Sequence, residues 1–129
     1  MLDHRQALAD AISKDFSGRS SAETELAEIM PLLEGIAYYR KRLKRLMKPQ
    51  RRQAPLTVMP AKVEVHFQPL GVVGIVVPWN FPVFLALSPL IGALAAGNRV
   101  MLKSSEFAPA TGRLLQTILA NNFSADEVC

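Results

Sequence analysis

GVVGIVVPWNFP, residues 71–82, decides how the rest of the chain is read. Its first part, 71–77, is a continuous run of β-branched residues and glycine with no polar position. Runs of this kind form strands of a parallel sheet that are covered on both faces. The remainder cannot continue a strand, because Pro78 and Pro82 lack the N–H that a ladder needs, and they bracket Trp79, Asn80 and Phe81. A buried strand is therefore expected to end in a stiff turn that presents an amide side chain.

Downstream, PVFLALSPLIGALAA (82–96) is apolar nearly all round and reads as a buried helix closed by Gly97 and Asn98. RVMLK (99–103) is a second strand. SSEFAPATGRLLQTILANN (104–122) is a loop followed by an amphipathic helix with Leu114, Leu115, Ile118 and Leu119 turned inward. Strand, helix, strand, helix with short joints is a parallel α/β unit with right-handed crossovers. Val128 and Cys129 read as the start of a further strand, so a piece of a longer protein is expected.

Upstream, residues 2–16 form a short amphipathic helix that Ser17 and Gly18 end. A longer helix follows in SSAETELAEIMPLLEGIAYYRKRLKRLM (20–47), capped by Ser20 or Ser21, with Glu23 in its first turn. Leu26, Ile29, Met30, Leu33, Ile36, Ala37, Leu43, Leu46 and Met47 recur at helical spacing as its packing face, and Pro31 is expected to kink it. KPQRRQAPLTVMP (48–60) reads as linker. AKVEVHF (61–67) alternates as a half-exposed strand near a sheet edge. The expected division is 1–52 helical, 53–68 linker and edge strand, and 69–129 the parallel unit.

Half of the 129 residues are hydrophobic and a fifth are charged, which suits one globular domain. Eight of the fifteen basic residues lie between Arg40 and Arg52, with no acid among them, so the net charge of +4 is local. A solvated helix end that welcomes cations accounts for the run. The alternative is a small basic module that binds nucleic acid or an anionic membrane surface. Cys129 is the single cysteine, which excludes an internal disulfide and a metal site of several thiolates; no metal is expected, and a cytoplasmic setting fits. No signal peptide is visible. The uncharged stretch from Phe67 to Asn98 is broken by Pro69, Pro78, Pro82 and Pro89, so no membrane span is expected.

In open parallel sheets, ligands bind beyond the carboxyl ends of the strands. Two loops lie there, 78–82 and 103–106. Trp79 offers a flat face, Asn80 a donor amide, Lys103 a cation for phosphate or hydroxyl, and Glu106 an acceptor for ribose hydroxyls. No GxGxxG turn accompanies them, since Gly71 and Gly74 lie within the strand. Singly, each has a plainer reading: Asn80 as a turn former, Trp79 as a core anchor, Lys103 as a solvated charge, Glu106 at a helix start. Their placement on adjacent strand ends favours a ligand site.

PLGVVGIVVPWNFP (69–82), AAGNRVMLKSSE (95–106) and APATGRLLQTIL (108–119) resemble the first half of the coenzyme domain of the aldehyde dehydrogenase superfamily. KDF (14–16), ETELAEI (23–29), LKRLMKP (43–49) and PLTVMPAKVEV (55–65) resemble its branch of coniferyl-aldehyde and fatty-aldehyde dehydrogenases, so the likeness runs from about Leu2 to Cys129. The resemblance implies an α/β fold: N-terminal helices plus the first half, truncated, of a Rossmann-like coenzyme domain. It implies NAD as coenzyme, with NADP possible, bound by Val77, Pro78, Trp79, Lys103 and Glu106. Asn80 would stabilise the oxyanion formed when a cysteine thiolate attacks an aldehyde, coniferyl or another aromatic one. It further implies a homo-oligomer, a dimer, with no nucleic-acid partner. The family's nucleophilic cysteine and general-base glutamate fall outside this segment, and Cys129 matches neither. Ser104 stands where the family usually has proline.

Overall fold

The structure is a computed structural model and describes residues 2–129. After a 3-10 turn at Leu2–His4, α1 spans Arg5–Asp15. Ser17 at φ 56° and Gly18 at φ 114° stop it in left-handed backbone. Ser20 opens the next helix, its Oγ accepting the Ala22 N–H at 3.2 Å. α2 (Ser21–Thr24) passes through a π turn at Glu25–Ile29 into α3 (Met30–Leu46). The π turn absorbs Pro31. Met30 N–H bonds to Glu25 O, five residues back, and so opens the ladder just ahead of the proline ring.

The extra residue in that turn also rotates the buried face. Leu26, Met30, Leu46 and Met47, expected inward, are exposed, whereas Thr24, Glu28, Ile29 and Leu32 are buried. β1 (Gln50–Arg52) then pairs antiparallel with β2 (Val63–Val65), Gln50 opposite Val65 and Arg52 opposite Val63. Residues 50–52, read as helical segment and linker, are thus a strand. The expected inward row Val63, Val65 and Phe67 is exposed, because no layer packs on this ribbon.

β3 (Val72–Val76), α4 (Phe84–Ala95), β4 (Arg99–Lys103) and α5 (Pro109–Ala120) form the parallel unit, with register from Val72↔Arg99 to Val76↔Lys103. Gly97, at φ 81°, turns the chain out of α4. Asn98 then fixes the entry to β3: its Oδ1 accepts from the N–H groups of Leu70 (2.6 Å) and Gly71 (3.1 Å), and its Nδ2 donates to Ala93 O (3.2 Å). Val128 bridges Val100 in parallel on the other side of β4, so the order across the sheet is β3, β4, Val128.

Both connections advance across the sheet in the same direction, and right-handed crossovers then put α4 and α5 on one face. Val73, Ile75, Val77, Val100 and Leu102 meet them in the core. On the opposite face Val72, Val76 and Met101 are 62%, 77% and 59% exposed, so within this chain β3 is covered on one side only. α4 is likewise buried along one stripe, Ala86, Leu87 and Leu90, and half-exposed elsewhere.

The N-terminal helices dock α1 against α5 and α3 against α4, through Leu8, Ile12, Ile29 and Leu32. Two carboxylates lock the joint. The residues before α4 and α5, Val83 and Ala108, have no capping side chain, which leaves the first N–H groups of each helix needing partners. Asp15 supplies them for α5, accepting from Ala110 N (2.9 Å), Thr111 N (2.8 Å) and Thr111 Oγ1 (2.8 Å). Glu28 supplies them for α4 through Val83 N (2.7 Å) and Phe84 N (3.0 Å). Asp15→Ala is expected to lower stability by about 1–2 kcal/mol, as loss of a helix cap does. Denaturant unfolding checks this, and an unchanged midpoint would show that the α5 cap is dispensable.

Candidate functional site

The sheet's carboxyl edge brings the two expected loops side by side. Val77, buried, donates its N–H to Lys103 O at 3.0 Å, one step past the last paired residues of β3 and β4. Pro78 cannot extend the ladder, and the chain leaves the sheet there. Pro78, Trp79 and Asn80 are exposed, and among the described residues nothing hydrogen-bonds the Asn80 amide. Across the edge, Lys103 Nζ lies 3.3 Å from Glu106 Oε2, both side chains exposed. The backbone N–H of Glu106 itself, and then Lys103, hold the Glu106 carboxyl below the usual range. It therefore stands ionised at neutral pH, an acceptor beside an exposed cation.

A cleft of about 740 Å³ opens beyond β4, lined by Lys103, Ser104, Ser105, Gly112, Arg113 and Gln116 among others. Gly112 lets the loop lie against α5, since a Cβ there would come within 3.2 Å of the Ser104 Cβ. Ser105 is buried and its Oγ accepts the Phe107 N–H at 3.3 Å, a helix-entry role. Cys129 also borders this cleft, its N–H given to Val100 O at 3.0 Å as the sheet widens. Of the expected site residues only Lys103 lines this cleft; Glu106 pairs with Lys103 in the turn beyond β4 but, like Val77, Pro78, Trp79 and Asn80 on the neighbouring loop, does not line it.

That adjoining loop is held by residues the sequence reading did not single out. Arg19 Nη1 meets Glu28 Oε1 at 3.4 Å, and its guanidinium lies 3.9 Å over the Phe16 ring and 5.4 Å from the Phe81 ring centre. The Phe16 ring stands 6.3 Å from that of Trp79. One signal was available: Glu28 sits beside Ile29 on a stretch with apolar periodicity, where a carboxylate needs a buried partner. Which partner could not be read, because Val83 is 55 residues away.

Among the described residues no group of three or more His, Cys, Asp or Glu could hold a metal ion. No helix among them is long and apolar enough to cross a membrane.

Comparison with known proteins bears on this geometry. The family model described as "Aldehyde dehydrogenase family" matches residues 1–126. The "Probable coniferyl aldehyde dehydrogenase" of Pseudomonas aeruginosa is 59% identical over 128 residues, covering 99% of this chain and 27% of that protein. The coniferyl aldehyde dehydrogenase of a Pseudomonas species is 44% identical over 128 residues, covering 99% of this chain and 26% of that one. Among solved structures, the substrate-bound state of Staphylococcus aureus AldH superposes with a TM-score of 0.83 at 30% identity, over 99% of this chain and 31% of that chain. The chain thus spans about a quarter of the length of these curated relatives.

Burial pushes the Glu28 carboxyl above the ordinary carboxylate value, against the N–H groups of Phe84 and Val83 and the Arg19 charge, which pull it down. A folded value above the unfolded one means that the native state holds the proton more tightly. The linked stability is complete below the ordinary carboxylate value and is lost as pH rises through the raised one. Glu28→Gln cannot titrate. The unfolding free energy of the wild type minus that of Glu28→Gln should therefore fall with rising pH across that window. A difference that is flat or rises contradicts this sign.

Proposed function

We propose, because this chain belongs to the aldehyde dehydrogenase family, that it forms the oxyanion-stabilising loop and part of the coenzyme cleft of an NAD(P)-dependent enzyme oxidising an aldehyde to its carboxylic acid. The observation that carries this reading is the sheet edge itself. Asn80, whose amide meets no partner among the described residues, stands on one strand-end loop, and the exposed Lys103–Glu106 pair stands on the next, with Lys103 lining the cleft. The names of the relatives at 59% and 44% identity support coniferyl aldehyde, or another aromatic aldehyde, as substrate.

The residues present fit the coenzyme's chemistry. An ionised Glu106 can accept hydrogen bonds from two vicinal ribose hydroxyls, and Lys103 can donate to them or to a phosphate. A 2′-phosphate would face the Glu106 charge, which supports NAD over NADP. Val77, Pro78 and Trp79, on the loop that carries Asn80, are assigned to the coenzyme as part of the same reading. When bound, the nicotinamide accepts the hydride that leaves the substrate carbon. Asn80 Nδ2 acts on the other partner, donating to the aldehyde oxygen as negative charge develops there under attack by a thiolate. Cys129 continues the sheet beside β4 and matches neither of the family's catalytic positions, so the nucleophile and general base are assigned to sequence outside this chain. The aldehyde and the dimer expected for the whole enzyme belong to the same reading.

Asn80→Ala in the complete enzyme is expected to lower kcat by about 10²-fold or more with the KM for NAD little changed. Steady-state kinetics with coniferyl aldehyde read both parameters, and an unchanged kcat removes the oxyanion role. Glu106→Gln should raise the ratio of kcat/KM for NADP to that for NAD by about tenfold, by relieving charge repulsion at the 2′ position. A ratio that stays fixed would place the adenosine ribose elsewhere.

A further inference from the structure

The segment 78–84 has almost nothing in the sheet to hold it. Pro78 and Pro82 offer no N–H, and the ladder to β4 ends at Val77. Among the described residues, every hydrogen bond that leaves this segment for a partner outside α4 ends on Glu28, through Val83 N at 2.7 Å and Phe84 N at 3.0 Å. The other oxygen of the same carboxylate faces Arg19 at 3.4 Å. Arg19 in turn lies over Phe16, which meets the Trp79 ring, and also reaches Phe81. Both neighbours of Asn80 are therefore met from the turn between α1 and α2, while its own amide has no partner among the described residues.

We propose that Arg19 and Glu28 are positioning residues that fix the direction of the Asn80 amide by clamping the aromatic rings on either side of it and the first N–H groups of α4. The proposal rests on the oxyanion role given to Asn80 above. An apolar filler at these sites could bury the same area, yet it would leave Val83 N–H and Phe84 N–H unpaired and free to turn. The clamp works through direction: Oε2 of Glu28 draws two N–H groups to one point, and Arg19 draws the opposite oxygen and two rings to another. A donor displaced by about 1 Å from the developing charge can lose as much as 10²-fold in rate.

Trp79 is the chain's only tryptophan and so reports this loop without interference. In this chain, Glu28→Gln and Arg19→Leu should each change the Trp79 emission maximum and make it more readily quenched by acrylamide, under conditions where circular dichroism shows the helices intact. Ile118→Ala, a core truncation in α5, should change neither. In the complete enzyme, Glu28→Gln should lower kcat about tenfold or more with the KM for NAD little changed, and should cost nothing further in an Asn80→Ala background. Folded variants with wild-type Trp79 quenching, or losses that multiply in the double variant, would overturn the clamp. If Glu28→Gln does not fold, Arg19→Lys keeps the cation and loses the planar stack, and the same readouts decide. An Asn80→Ala enzyme with full kcat would defeat the oxyanion role alone, because the Trp79 measurement still tests the clamp.

Discussion

A carboxylate with no exposed surface, Glu28, sits under the first turn of α4, and the arrangement of the whole chain follows from how its charge is met. Taking such a charge out of water costs several kcal/mol unless good partners offset it. Here part of that cost is offset by two N–H groups that would otherwise be orphans, by the positive end of a helix of twelve residues, and by Arg19, although burial still holds the carboxyl above its ordinary value. Each party solves the other's problem, because α4 has no cap of its own and Glu28 has no water. Asp15 and α5 repeat the bargain at the neighbouring helix. The N-terminal helices are thus fastened to the sheet unit at the two points where its connections begin.

Those points lie at the carboxyl end of the strands, where ligands of parallel sheets bind. In the common dinucleotide fold a glycine-rich turn delivers the pyrophosphate to a helix N-terminus. That route is closed at both helices here, since protein carboxylates already fill the N-termini of α4 and α5. Side chains at the strand ends, such as the paired Lys103 and Glu106, are the polar groups this edge leaves exposed.

Local chemistry made much of this legible in sequence. Gly97 past an apolar helix, Ser20 ahead of a polar turn and the prolines after a β-branched run each act within a few residues, and each did what its type dictates. Two features escaped because their causes are not local. The π turn before Pro31 adds a residue to the helix and swings Leu26 and Met30 out to solvent, so strict helical spacing misplaces the packing face. Which face of β3 this chain itself covers depends on the side its crossovers take, and a run such as Val72 to Val77 does not state that side. The loops that carry Asn80, Lys103 and Glu106 could be placed at the strand ends from sequence alone. Arg19, Asp15 and Glu28 could not, because their partners lie on elements joined only in the folded state.

The loop itself shows why the distant residues had to be charged. Apolar packing is non-directional and tolerates sliding, so it can hold Trp79 and Phe81 near the N-terminal helices without fixing their angle. A hydrogen bond to a carboxylate weakens steeply as it bends, and two such bonds converging on one oxygen leave the start of α4 little freedom to rotate. An amide carried three residues before that anchor inherits its orientation while making no bond of its own. Electrostatic stabilisation of a reaction needs a donor that is already aimed and is not consumed by another acceptor. A rigid backbone with an idle side chain meets both conditions, and the buried charge of Glu28 is what makes the backbone rigid.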